Sequence, residues 1–183
     1  MDERTPGNDD HALAFRMHLE REAFALRPKL RVTVLRPGFM YGGDGHSCVA
    51  GQWFGMGLKG EALYRGDPDK GWSWVHVADL ARAYRMVAET GRLTDGEVYC
   101  VADERRETCV AIMRRCLAAA GYDGDIAFAE ADEDDKTSTW FDQNEFTTSA
   151  KIRQHLGWVP HHAGLTDEAD RLFEAWRDRQ DAA

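Results

Sequence analysis

Two short apolar and β-branched runs, Leu30-Arg31-Val32-Thr33-Val34-Leu35 and Val98-Tyr99-Cys100-Val101-Ala102, constrain the fold of this chain more than any other feature. Runs of this length, rich in residues that suit a pleated surface, read as buried strands. The first is stopped by Arg36-Pro37-Gly38. Helical patterns surround them. From an N-cap at Asp9 or Asp10, the apolar positions between Leu13 and Leu26 predict a helix that ends before Pro28. Asp79 to Glu89 sets Leu80, Ala83, Tyr84 and Val87 on one face and stops at Gly91, and a helix over Thr108 to Ala120 is closed by Gly121. Strands that alternate with helices predict an α/β chain whose strands are mostly parallel. A doubly wound sheet has about five or six strands. Two buried ones therefore leave two options, a small sheet or part of a larger one.

Weaker signals fill the remainder. Val49 to Leu58 reads as a glycine-weakened helix after the Gly42-Gly43-Asp44-Gly45 loop. Ala62–Arg65 and Trp72–Val75 read as short strands around the turn Gly66-Asp67-Pro68-Asp69, and Ile126-Ala127-Phe128 as another. Glu130 to Asp135 is a run of like charges expected to be a solvated loop. Helices are expected near Thr148–Leu156 and Thr166–Arg179.

The chain has 183 residues, of which 43% are hydrophobic, enough for one domain with a core that needs no disulfide or metal. With 23 basic and 32 acidic side chains the formal charge is 23 − 32 = −9, and no basic block occurs. Nucleic-acid backbones and anionic membranes are thus excluded as main partners, since both need clustered cations. Cys48, Cys100, Cys109 and Cys116 lack metal-site spacing; Cys109 and Cys116 flank Ile112 and Met113 as small apolar residues of a helix face. No run approaches a membrane span and the start lacks the pattern of a signal peptide, so a cytoplasmic protein is the expectation.

Three motifs then occur in a fixed order. Arg36-Pro37-Gly38-Phe39-Met40-Tyr41-Gly42 follows the first strand, Trp74-Val75-His76-Val77-Ala78-Asp79-Leu80-Ala81-Arg82-Ala83 opens a helix, and Thr148-Ser149-Ala150-Lys151 precedes Leu156-Gly157-Trp158-Val159-Pro160. This order over residues 9–179 resembles the C-terminal half of the extended short-chain dehydrogenase/reductases, also called NAD-dependent epimerase/dehydratases. The resemblance implies a partial Rossmann-like parallel sheet with a C-terminal substrate-binding subdomain, and a missing N-terminal dinucleotide-binding half. Residues 1–183 are then a single truncated domain. Within it, 9–37 and 75–103 are residual Rossmann-like elements, and 38–74 and 104–183 form the substrate-binding subdomain. Met1 to Pro6 resembles the loop that precedes the family's catalytic helix.

That helix departs from the pattern. Counting back from Glu20, which matches a glutamate common in relatives, places Arg16 at the lysine and Ala12 at the tyrosine of the family's Tyr-x-x-x-Lys. Neither can perform its proton transfer, and none of the five tyrosines has a lysine four residues on. Ala14-Phe15-Arg16 followed by Glu20 is similar to atypical members that read Ala-Trp-Arg there. No catalytic residue is assigned. The resemblance implies NAD or NADP as cofactor, with Arg16, Pro37, Gly38 and Phe39 as its contacts, though binding by this chain alone is not expected. It also implies hydride transfer on a small-molecule substrate, and a possible homodimer through the helix at 10–26. The alternative is a stand-alone, non-catalytic binding or dimerising protein of that ancestry.

Other residues each carry two readings. Tyr41 is either a substrate contact or, like Met40, a packing residue of the cleft floor. Trp53, Trp72 and Trp74 are either an aromatic substrate wall or strand-face packing. His76 is either a substrate contact in the cleft or a hydrogen-bonded strand end, beside an Asp79 that caps the following helix. Gly55-Met56-Gly57-Leu58-Lys59-Gly60 spells a dinucleotide fingerprint, but a helix enters it and a strand leaves it, the reverse of what phosphate binding needs. His161-His162, and His46 with Cys48, suggest a metal. Neighbouring side chains on an extended chain point apart and spacing places no third ligand, so none is assigned. No Gly-x-Ser-x-Gly elbow occurs.

Overall fold

A computed structural model of the chain describes residues 1–6, 14–27, 29–43 and 48–182. In chain order these form α1 (Phe15–Ala25), β1 (Val34–Pro37), β2 (Phe39–Tyr41), α2 (Val49–Lys59), β3 (Leu63–Arg65), β4 (Trp74–His76), α3 (Val77–Thr90), β5 (Val98–Val101), α4 (Cys109–Ala119), β6 (Ala127–Ala129), α5 (Lys136–Phe141), α6 (Ala150–Leu156) and α7 (Leu165–Asp181). The strands pair as β1 with β5, β2 with β4, and β3 with β6, all parallel. Parallel neighbours require crossovers, and helices supply them. No helix among the described residues is long and apolar enough to cross a membrane.

The first strand differs from its sequence reading. It begins at Val34 instead of Leu30, because Val32 and Thr33 make other bonds. The Val32 N–H donates to the Asp95 carboxylate (3.0 Å), the Thr33 hydroxyl to the Thr94 carbonyl (2.6 Å), and the Val32 carbonyl accepts from the Gly96 N–H (2.8 Å). It then runs on through Arg36-Pro37, and is half-buried where full burial was expected. At Gly38 the chain changes neighbour, its N–H donating to Val101 while the next N–H, of Phe39, donates to Ser73. A Cβ at Gly38 would lie 2.5 Å from the Ser73 carbonyl oxygen, so this crossing needs glycine.

Two cores result. The larger, rich in aromatic rings, gathers Tyr41, Trp53, Phe54, Trp72 and Trp74 with one face each of α4 and α7. Cys109, Ile112, Met113 and Cys116 all lie in it, as their spacing predicts, and the thiols are free. The smaller core packs Val75, Tyr99 and Val101 against Leu80, Ala83, Ile152 and Trp158. α1 buries no residue; the predicted start of its helix at Asp9 or Asp10 lies outside the described residues, as do Ala12, Pro28 and His46. α5 follows the acidic run directly, its first turn capped by the Asp135 carboxylate, which accepts from the Thr137 N–H (2.8 Å).

Candidate functional site

Past the carboxyl ends of β1 and β2 a cleft of about 820 Å³ opens. Its walls are the strand-turn segment Leu35–Gly43, the α1 residues Arg16, Met17 and Glu20, the opening residues of the chain, and Cys48 and Val49 at the start of α2. The glutamate of α1 anchors that helix. Arg36 of β1 grips Glu20 with two bonds, Nε to Oε1 at 3.0 Å and Nη2 to Oε2 at 2.7 Å. The planar guanidinium suits a carboxylate held this way and fixes α1 across β1. The opening loop is tied to β5, where the Cys100 N–H donates to the Glu3 carboxylate (2.8 Å).

Arg16, Pro37, Gly38, Phe39 and Tyr41 all line this cleft. Trp53, Trp72, Trp74 and His76 do not: they are at most 6% exposed and stand in or beside the aromatic core. Phe39 stacks on Trp72 with ring centres 4.3 Å apart, Trp74 meets Trp53 at 6.1 Å, and the Trp72 indole donates to the Gln143 carbonyl (3.0 Å). The three tryptophans pack with Phe39 and with one another in this core.

Two titratable side chains at the cleft are held protonated at neutral pH. Burial pushes the Tyr41 hydroxyl above its ordinary range, and burial pushes the Cys100 thiol up to about 11. Both therefore stay protonated.

The literal Gly55–Gly60 fingerprint lies in the last turns of α2, closed by Gly60 in the left-handed region (φ 70°). A Cβ at Gly57 would sit 2.7 Å from that of Ala120, so this glycine lets α2 approach the end of α4. It is a helix-packing feature, with a helix before it where a pyrophosphate turn needs a strand.

Below the cleft, two of the sequence motifs meet in one joint. Asp79, in the first turn of α3, is 2% exposed. It does not cap α3, as its position suggested; the His76 ring does, Nδ1 accepting from the Ala78 N–H (3.1 Å). Asp79 instead accepts from the backbone N–H groups of His161 and His162 and from His162 Nδ1, each at 3.0 Å, and from Arg82 at 2.8 Å. The Trp158 indole donates to the Asp79 carbonyl (3.0 Å). Burial opposes ionisation of Asp79, but these donors, Arg82 foremost, outweigh it and hold the carboxyl down at about 2. The opening residues of the last of the three motifs bond to β5 and the residue after it. Ser149 Oγ accepts from the Ala102 N–H (2.7 Å) and donates to its carbonyl (2.9 Å), and Lys151 Nζ donates to the Val98 carbonyl (2.8 Å).

His76 and His162 stack on one another, ring centres 3.4 Å apart and planes within 8°. Burial, and then the adjacent His162, lower the His76 pKa, so its ring is neutral at pH 7. Glu168 completes a group whose ligand atoms lie within 4.8 Å of each other. Sequence reasoning compared His162 with its chain neighbour, whereas its partner stands 86 positions away at the end of β4. The buried Lys70, whose Nζ donates to Asp142 (3.0 Å) and the Arg65 carbonyl (2.8 Å), carried no sequence signal either.

No protein-family model and no curated protein matches the sequence. Solved structures do match. The chain is similar to dTDP-glucose 4,6-dehydratase from Bacillus anthracis str. Ames in complex with NAD, at 18% identity and a TM-score of 0.81, over 99% of this chain and 57% of that one. It is also similar to DesIV, a dTDP-glucose 4,6-dehydratase from Streptomyces venezuelae (21% identity, TM-score 0.77, 92% and 51%). UDP-glucose 4-epimerase from Thermotoga maritima gives 24% identity and a TM-score of 0.71, over 92% and 52%. The fold is the epimerase/dehydratase fold. This chain spans about half the length of the enzymes it matches.

Proposed function

We propose that the chain is the substrate-binding, C-terminal part of an NAD(P)-dependent epimerase/dehydratase-like reductase, without activity by itself. The observation that carries this reading is the cleft. It opens at the carboxyl edge of parallel strands, where ligands of such folds bind, and is lined by Arg16 and Pro37–Phe39 together. On this reading the cleft takes the substrate end of the ligand, and the dinucleotide is held by the half that this chain does not share with the enzymes it matches. What these residues do is therefore positional. Arg36 and Glu20 hold the two walls together, Tyr41 and Cys100 stand buried behind the lining, and Phe39 packs the lining onto the aromatic core.

Sugar nucleotides are the ligand class borne by the fold's relatives, so UDP-glucose and dTDP-glucose are the probes. Trp140 lines the cleft and serves as reporter. Titration of the chain is expected to quench its fluorescence saturably with one of the two, with binding weakened about tenfold in Arg16→Ala by loss of a charged contact. No saturable change with either removes the substrate-binding role.

A second reading rests on α1. Phe15, Leu19 and, at its C-cap, Leu26 are 54%, 56% and 48% exposed, and at about 100° per residue they share one stripe, with Glu22 at its border. This face supports the alternative of a non-catalytic protein that pairs with a second copy, which needs no cofactor.

A further inference from the structure

We propose that His76, His162 and Glu168 form a three-ligand site for a divalent transition-metal ion of the zinc class. This inference does not depend on the reading of the cleft. The three residues come from three places, the end of β4, the turn that follows Trp158-Val159-Pro160, and the first turn of α7, and the fold alone brings their ligand atoms within 4.8 Å.

The protonation pattern supports the assignment. The Asp79 carboxylate accepts from His162 Nδ1 at 3.0 Å, which fixes the proton there and leaves the Nε2 lone pair for a ligand. A carboxylate behind an imidazole is the outer-shell arrangement of metal-binding histidines. Independently, His76 is 6% exposed and its Nε2 has no hydrogen-bond partner, a costly state for a buried polar nitrogen. The adjacent Tyr41 hydroxyl, on a residue 1% exposed and edge-on to His76 at 5.2 Å, is likewise unpartnered. Gly42 packs against the face of the His76 ring, where a Cβ would fall 2.2 Å from Nε2, so this close approach needs glycine. Two imidazoles and one carboxylate make a donor set that suits Zn²⁺ or Co²⁺, with a fourth position left for water.

Ligation requires a defined rearrangement. Imidazole lone pairs lie in the ring plane, so two rings stacked within 8° do not converge on one ion. One ring turns about its Cβ–Cγ bond, the stack opens, and the His76 proton moves to Nδ1, releasing the Ala78 N–H. One cap hydrogen bond is exchanged for a metal–nitrogen bond. Glu168 keeps its contacts with the Ala163 N–H (3.0 Å) and Arg171 through its other lone pairs.

Titrating the untagged chain with Co²⁺ tests this. One equivalent is expected to bind with the intense visible absorption of a four-coordinate ion, displaceable by Zn²⁺. Affinity is expected to fall about tenfold or more in His162→Ala and in Glu168→Gln, and to stay unchanged in His18→Ala, on the exposed face of α1. Should the two site variants fail to fold, imidazole NMR of the unsubstituted chain decides: Zn²⁺ must shift the His76 and His162 ring signals together. Absence of saturable binding, unaltered affinity in both folded site variants, or Zn²⁺ shifts confined to other histidines would each overturn the proposal.

Discussion

At Asp79 one buried carboxylate accepts from two backbone N–H groups, an imidazole and a guanidinium, and so joins α3 to the turn that carries Trp158. Removing its charge leaves the Arg82 and His162 donors without their partner, and an amide in its place turns an N–H toward donors. Asp79→Asn is expected to lower stability by about 3 kcal/mol, as measured by urea unfolding; a loss below about 1 kcal/mol would contradict the joint. Asp103 shows the opposite balance. Burial pushes its carboxyl up from 3.8 to about 6, against the lowering effect of the Arg105 N–H at 3.1 Å. The folded state then binds more protons than the unfolded state between these values, so stability declines as pH rises through that window and the deficit persists at pH 7. Asp103→Asn keeps the Arg105 acceptor and is expected to gain on the order of 2 kcal/mol at pH 7. The gain should vanish below about pH 4, where the carboxyl is protonated in both states. Unfolding curves across pH measure both values, and a gain that did not fade in acid would refute the burial account.

Individual elements differ in how plainly the chain announces them. Val98–Val101 is legible because an unbroken apolar run is what a strand covered on both faces requires, and Tyr99, Cys100 and Val101 are buried. α3 and α4 are legible from their one-sided spacing, and the Thr108 hydroxyl caps α4, accepting from the Ala111 N–H (3.2 Å). β1 is displaced because bonds to residues 94–96, over sixty positions away, take the backbone of Val32 and the side chain of Thr33. No local pattern encodes that. α5 is hidden by the charge run before it. In the site, the lining of the cleft by Pro37–Phe39 and Arg16 is foreshadowed by motif order, but the His76–His162 stack and the Asp79 joint unite segments about eighty residues apart. α1 poses its own test. Sedimentation at micromolar concentration is expected to show a dimer that Leu19→Glu converts to monomer, by placing a charge in its apolar stripe. A monomer before substitution would remove the self-pairing role.

On the scale of the whole molecule, two cores lie side by side, and the cleft runs along the edge where β1 and β2 end. Among the described residues β1 pairs with β5 alone, so its other edge presents unpaired backbone groups of the kind that receive a further strand. The match to this chain covers 52% and 57% of two enzymes that share the fold. On the proposed reading this chain supplies the substrate side of a cleft, and the dinucleotide grip falls to residues other than those described. NADH and NADPH fluorescence on titration with the purified chain tests this division most directly. No saturable enhancement or blue shift is predicted with either cofactor; a saturable one-to-one signal at micromolar chain concentration would contradict the division.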